Sequence, residues 1–300
     1  MKDCYVSRTG RSAALIARCD PVVYDGGRYD QALDEARLQT YERDGFLIVP
    51  GVFDAAEVEA LRQEAMELAR DPAVREGEEV IREPGGTALR SVFRVHELGA
   101  RLADLPRDPR LLAVARQILG SEVYIHQSRV NMKPALDGKE FYWHSDFETW
   151  HVEDGMPAMR ALSCSVLLTD NTPFNGPLML IPGSHRQFVA CVGETPEENY
   201  KRSLRRQEVG VPDALSLRLL AEQGGLKAAT APAGSAVFFD CNTLHGSSGN
   251  LSPWPRCNVF MVYNSVDNRL VAPFHGMPPR PEHIAARDRT ETLTPLSAAA

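Results

Sequence analysis

The chain has 300 residues, 43% hydrophobic and 24% charged, the balance of a globular protein able to bury a sizeable core. Forty acidic against 33 basic residues give a net charge of −7, and no Lys/Arg block interrupts the chain, which argues against nucleic acid or an anionic membrane as partner and favours a small molecule. The six cysteines, Cys4, Cys19, Cys164, Cys191, Cys241 and Cys257, form no C-x-x-C pair, and the apolar run near the N-terminus extends only from Ala13 to Ala17, so a disulfide framework, a zinc knuckle and a signal peptide are not expected and a cytoplasmic protein is.

Residues 1–28 show no sustained periodicity and read as an arm. Residues 30–43 predict a helix closed by Asp44-Gly45, with Phe46–Val49 as a short strand. Asp54 followed by Glu57 has the spacing of a capping box and opens a helix with Val58, Leu61, Ala65 and Leu68 on one stripe. Glu83-Pro84-Gly85-Gly86 predicts a hairpin. A further helix takes Asp108 as cap, Pro109 as first residue and Gly120 as stop. From Glu122 the pattern turns to β, with runs at 122–133, 140–147, 160–169, 177–181, 235–240 and 256–264 separated by turn residues. Strands without alternating helices predict a mainly β sandwich or jelly roll with flanking helices. Residues 190–233 read as a polar, partly helical insertion, either a lid, a dimer contact or a passive excursion. Residues 277–300 look frayed, and Ala298 to Ala300 form the one low-complexity tract.

The chemistry concentrates at Phe141-Tyr-Trp-His144-Ser-Asp146-Phe-Glu-Thr-Trp150. On a strand, His144 and Asp146 share a face, and an imidazole and a carboxylate so placed can bind one divalent metal. His245 offers a third ligand, and two His with one carboxylate is the donor set of non-haem Fe(II) oxygenases. An H-x-D triplet alone is common, and its bland reading is an ordinary core or surface histidine. His151 is out of phase with that face, His185 sits at a turn, and His96, His126, His275 and His283 have no paired ligand nearby in the sequence. Glu148 keeps the phase and can serve as an acceptor behind the ligands.

Two other runs carry polar residues at period two. Gln127, Arg129, Asn131 and Lys133 share a face, with His126, Ser128, Val130 and Met132 opposite. Such a face either meets water or lines a ligand cavity, where two cations and two amides suit a carboxylate. Arg256, Asn258, Phe260, Val262 and Asn264 share another face. A hairpin between His245 and Arg256 would return the guanidinium to the metal, with Ser247 adding a hydroxyl; the alternative for Arg256 is a surface ion pair.

His144-x-Asp146, His245 and Arg256 together resemble the phytanoyl-CoA dioxygenase branch of Fe(II)/2-oxoglutarate-dependent oxygenases. The run Phe141–Pro157 is similar to the signature stretch of the ectoine hydroxylases within that branch, and so are residues 127–133, 175–179, 181–186, 191–195 and 268–274. The likeness covers about residues 20–287. It implies one oxygenase domain over 1–300: a double-stranded β-helix (a cupin-like jelly roll) at about 121–275, a helical part at about 30–120, and a lid-like insertion at about 190–233, with a homodimer as assembly. It implies iron on His144, Asp146 and His245; 2-oxoglutarate on Lys133, Asn131, Phe141, Ser247 and Arg256; ectoine on Gln127, Arg129, Trp150, Ser165 and Phe260; and O2 as oxidant. Whether Lys133 or Arg256 takes the distal carboxylate stays open. The rivals are a sister oxygenase with another small substrate and a non-catalytic, metal-binding jelly roll.

Overall fold

A computed structural model describes residues 3–10 and 12–297; the alanine tract at 298–300 lies outside them. Two antiparallel sheets form the frame. The larger has seven strands in the order β2 (Phe46–Val49), β11 (Ala236–Asp240), β7 (Ala161–Leu167), β13 (Arg256–Ser265), β5 (Val123–Lys133), β4 (Leu89–Phe93) and β3 (Val80–Arg82). The smaller has four: β10 (Lys227–Ala228), β8 (Leu178–Leu180), β12 (His245–Ser247) and β6 (Phe141–His144). β10 comes from the insertion, so that segment is not wholly outside the sheets. Sheets facing each other in this way, with the chain passing between them, make the jelly roll that the strand pattern predicts.

The capping residues read from the sequence set the helix starts. Asp54 accepts from the amides of Ala56 and Glu57, while the Glu57 carboxylate accepts from Asp54 N at 2.8 Å, and the helix Ala55–Arg70 follows. Asp108 and Pro109 open the helix Pro109–Leu119, which stops at Gly120 in the left-handed conformation, φ 58°. The helix at 30–43 starts later, at Glu35, because Asp34 caps it through Arg37 N.

Strand alternation sorts the large sheet into two faces. Leu162, Cys164 and Val166 of β7, Val259 and Met261 of β13, and Val130 of β5 join Val58, Leu61, Ala65, Leu111, Leu112 and Ile118 of the two helices in the main core. Ser163, Ser165, Asn258, Phe260, Arg129 and Asn131 then face the other sheet. β5 carries one irregularity: Val262 pairs with Gln127 but Tyr263 pairs with Ile125. His126 is the extra residue of that bulge. It therefore leaves the outer face assigned by simple alternation and turns inward, 3.3 Å from Asp154 and edge-on to Trp150.

Both chain ends depart from the expectation of an arm and a frayed tail. β1 (Ala14–Ala17) pairs with β9 (Gln187–Ala190), and Arg8 is buried. At the other end Ile284, Ala285 and Ala286 are buried, and Arg280 forms a double hydrogen bond with Asp154. Ion pairs far apart in sequence leave no periodicity, which is why neither end was legible.

Candidate metal centre and its two pockets

β6 and β12 are hydrogen-bonded neighbours, and their register sets His144 directly opposite His245. β6 ends at His144. Ser145 then caps a helical turn, Asp146–Thr149, through Glu148 N, and a π-helical turn follows at Trp150–Asp154. The expectation that His144 and Asp146 share a strand face is thus corrected: they meet across a strand-to-helix corner. Ser145-x-x-Glu148 is the sequence signature of such a start and was the missed signal.

The three side chains converge all the same. Asp146 Oδ1 lies 3.6 Å from His144 Nε2 and 3.8 Å from His245 Nε2, and the prospective ligand atoms fall within 4.8 Å of one another. Each imidazole is oriented from behind: His144 Nδ1 lies 2.7 Å from Tyr142 O, and His245 Nδ1 lies 2.9 Å from Thr243 O. A backbone carbonyl fixes the proton on Nδ1 and leaves the Nε2 lone pair for a metal. Burial and the neighbouring His144 push His245 down to about 4. Burial alone would raise Asp146, but His245, His144 and Arg129 outweigh it and hold the carboxyl ionised. Ser163 Oγ donates to Asp146 Oδ2 at 3.1 Å. Two imidazoles, each with Nε2 turned to the cluster, and one carboxylate fit a divalent iron.

Two pockets meet here. One is walled by Asn131, His245, Ser247, Arg256 and Phe260; the other by Gln127, Asp146, Thr149, Trp150, Glu153 and Arg280; Arg129, Phe141 and His144 belong to both. At the end of the first, Arg256 Nη2 donates to Asn131 Oδ1 at 2.9 Å, Nη1 donates to Gly176 O, and buried Nε has no hydrogen-bond partner among the described residues. Burial pushes the guanidinium down to about 10. Lys133 is fully buried, and Nζ donates to Ser247 Oγ at 2.7 Å and to Ser248 O at 2.5 Å. Burial, then Arg256 and Arg90, push its ammonium down to about 6. These buried basic groups face carbonyls and hydroxyls; an incoming carboxylate would favour their charged forms. The expected hairpin is not what brings Arg256 near. The chain crosses from β12 in the small sheet to β13 in the large one, so Arg256 reaches the pocket from the opposite wall.

In the second pocket Arg129 Nη1 donates to Gln127 Oε1 at 3.0 Å, its guanidinium stands 5.3 Å from the Phe260 ring, and buried Nε has no hydrogen-bond partner among the described residues. Trp150 lines this pocket from the π turn, not from a strand. Ser165 pairs in register with Phe260, beside it on the same face, with a buried hydroxyl that takes no hydrogen bond among the described residues. His151 stacks on Phe274 with ring centroids 3.9 Å apart, away from the triad. Glu148 serves Arg8 and Ser7, not the ligands. Sequence reading missed four contributors: Arg280 and Glu153 on the pocket wall, Arg90, whose guanidinium lies 3.5 Å from the Phe141 ring centroid, and Phe239, edge-on to His245. Only Phe239 carried a usable signal, since it shares alternate phase with Val237 on β11, whose inner face it continues.

A family model described as phytanoyl-CoA dioxygenase matches residues 41–257. The chain is 64% identical over 295 residues to the ectoine dioxygenase of Bordetella bronchiseptica, covering 98% of this chain and 96% of that one. It is 52% identical to the ectoine dioxygenase of Stutzerimonas stutzeri, covering 97% and 96%. Among solved structures, EctD from S. alaskensis with 2-oxoglutarate and 5-hydroxyectoine superposes with a TM-score of 0.89 at 46% identity, covering 98% of each chain. The nogalamycin carbocyclase SnoK, at 20% identity and a TM-score of 0.63 over 90% of this chain and 96% of that one, shares the fold. The chain belongs to the phytanoyl-CoA dioxygenase family and, within it, to the ectoine dioxygenases.

Proposed function

We propose that the protein hydroxylates ectoine to 5-hydroxyectoine, with 2-oxoglutarate and O2 as cosubstrates and succinate and CO2 as coproducts. The observation that carries this reading is the meeting of two unlike pockets at one His-Asp-His cluster, one ending in the buried Arg256 guanidinium and the other walled by Trp150, Arg129 and Gln127. Iron on His144, Asp146 and His245 supplies oxidative C–H hydroxylation coupled to decarboxylation of 2-oxoglutarate. Arg256 holds the distal carboxylate of 2-oxoglutarate through its fork, with Asn131 orienting that fork and Lys133 acting through Ser247. Phe141 closes this pocket beneath Arg90. Ectoine carries a carboxylate and a delocalised cationic ring. Arg129 and Gln127 suit the carboxylate and Trp150 suits the ring face, with Phe260 approaching from the cosubstrate side across Arg129 and Ser165 beside Phe260. Both pockets open onto the triad, so cosubstrate and substrate can be held next to the metal ligands and the reacting carbon positioned.

The same reading takes residues 1–300 as one oxygenase domain, with the insertion at about 190–233 as a lid and a homodimer in the cytoplasm that makes a compatible solute under osmotic stress. Free thiols at Cys19, Cys164, Cys191, Cys241 and Cys257 support a reducing compartment, and no described helix is long and apolar enough to cross a membrane. Supplying Fe(II), 2-oxoglutarate, O2 and ectoine should yield 5-hydroxyectoine and equimolar succinate. Turnover of another small molecule in its place would make this a sister oxygenase. Metal binding without 2-oxoglutarate-dependent O2 uptake would make it a binding protein.

A further inference from the structure

Arg8 lies far from the triad in sequence and is buried among acidic partners. Its Nε and Nη2 donate to Glu148 at 3.0 and 2.7 Å, Nη1 donates to Glu153 Oε1 at 2.5 Å and to Thr195 Oγ1 at 3.1 Å, and Nη2 reaches Thr149 Oγ1 at 3.3 Å. Its backbone is left-handed, φ 55°, and its amide donates to Cys191 O at 2.9 Å. A non-glycine residue holds that conformation only where its surroundings over-determine it. Ser7 adds a hydrogen bond to Glu148 Oε1 at 2.6 Å.

The partners fall into two groups. Glu148, Thr149 and Glu153 belong to the helical turns that also carry Asp146 and Trp150. Thr195 belongs to the insertion, and Glu153 Oε1 also accepts from Asn199 Nδ2 at 2.8 Å. Thr149, Trp150, Glu153 and Asn199 all line the substrate-side pocket, with Leu204 and Val209 further along the insertion. At Gly210 a Cβ would stand 2.5 Å from both Arg8 Nη2 and Glu148 Oε2, so the insertion's backbone is pressed onto the ion pair.

We propose that Arg8 is a positioning residue of the substrate pocket, joining the helical wall that carries Trp150 to the insertion that covers it. This rests on the ectoine reading for the substrate, not for the linkage itself. Arg8 touches neither the triad nor the cavity end at Arg256, so its effect should fall on one pocket only.

The test compares wild type, R8A, R8K and E153Q as iron-loaded full-length enzymes. R8A should raise the apparent KM for ectoine by on the order of tenfold, with iron content and the KM for 2-oxoglutarate within about twofold of wild type. Succinate should form in excess of hydroxylated product, because a loosely held substrate is missed while cosubstrate is spent. R8K keeps a buried cation without the fork and should fall between; E153Q should match R8A in direction, and the double variant R8A/E153Q should be no worse than the poorer single. Hydrogen exchange with iron and 2-oxoglutarate present should quicken in R8A, or in R8K if R8A does not fold, within 146–154 and 195–210 but not in β5 or β13. Unchanged ectoine KM and coupling in R8A, equal losses for both substrates, or exchange that rises everywhere would overturn the proposal. If wild type ignores ectoine, the substrate reading fails and the exchange pattern alone decides on Arg8.

Discussion

The two pockets that meet at His144 are built by different means. The Arg256 side stands on long paired strands: β13 and β5 face each other residue by residue, Arg256 opposite Lys133, Asn258 opposite Asn131, Phe260 opposite Arg129. The Trp150 side stands on short helical turns held by ion pairs from both chain ends, Arg8 to Glu148 and Glu153, and Arg280 to Asp154. Strands bring local repetition, so one register decides every side chain along them. Ion pairs across the chain bring no repetition; each buried charge there depends on its own partner, and removing one leaves the other uncompensated.

If this division holds, substitutions sort by side. Those at the junction come first: H144A, D146A and H245A should each lower turnover on the order of a thousandfold or more, since metal chemistry contributes several kcal/mol. Iron content and the circular dichroism spectrum would be measured beside activity, and a fully active D146A protein with normal iron would end the triad assignment. R256A acts on the strand side alone. A charge-assisted bond to a buried carboxylate contributes about 1.5–3 kcal/mol, so the 2-oxoglutarate requirement should rise about ten- to a hundredfold. An equal rise in the ectoine requirement would erase the distinction between the pockets. W150A is the counterpart on the helical side. Losing a cation–π contact of about 0.5–2 kcal/mol should raise the ectoine KM by roughly two- to thirtyfold, with iron and 2-oxoglutarate binding preserved.

The smallest effect is a pH slope. With the Lys133 ammonium pushed down to about 6 by burial and by Arg256 and Arg90, the amine is mostly neutral at pH 7. A bound carboxylate favours the protonated amine, so 2-oxoglutarate binding should take up a proton and weaken as pH rises above about 6, by at most about tenfold per pH unit. Calorimetry in two buffers of different ionisation enthalpy reads the proton, and K133M should abolish the slope. Stability runs the other way: the unfolded chain keeps this proton to near 10.5 while the fold releases it near 6, so this group makes stability rise with pH across that window. An affinity that stays flat from pH 6 to 8 would detach Lys133 from the carboxylate.

The same division explains what could be read from the residues. Alternation in β5, β7 and β13 made the polar inner face legible, and the capping chemistry at Asp54 and Asp108 located the helices. The triad was found for a partly mistaken reason, since Asp146 lies on a helical turn that Ser145 starts, not on the strand of His144. His126 was misplaced because one inserted residue reverses the phase of everything before it. Arg8, Arg90 and Arg280 carried no local signal at all: their carboxylate or aromatic partners are set by tertiary approach.

The clamp at Asp154 also bears on the order in which the protein is made. Its partner Arg280 lies 126 residues further on, and the ribosome delivers it only after every strand of both sheets has been synthesised. The wall around Trp150 therefore gets its second anchor from one of the last stretches of chain to be made, and the same stretch ties down β5, where Gln127 Nε2 donates to Ile284 O at 2.7 Å. Completion of the substrate pocket then waits on the end of synthesis.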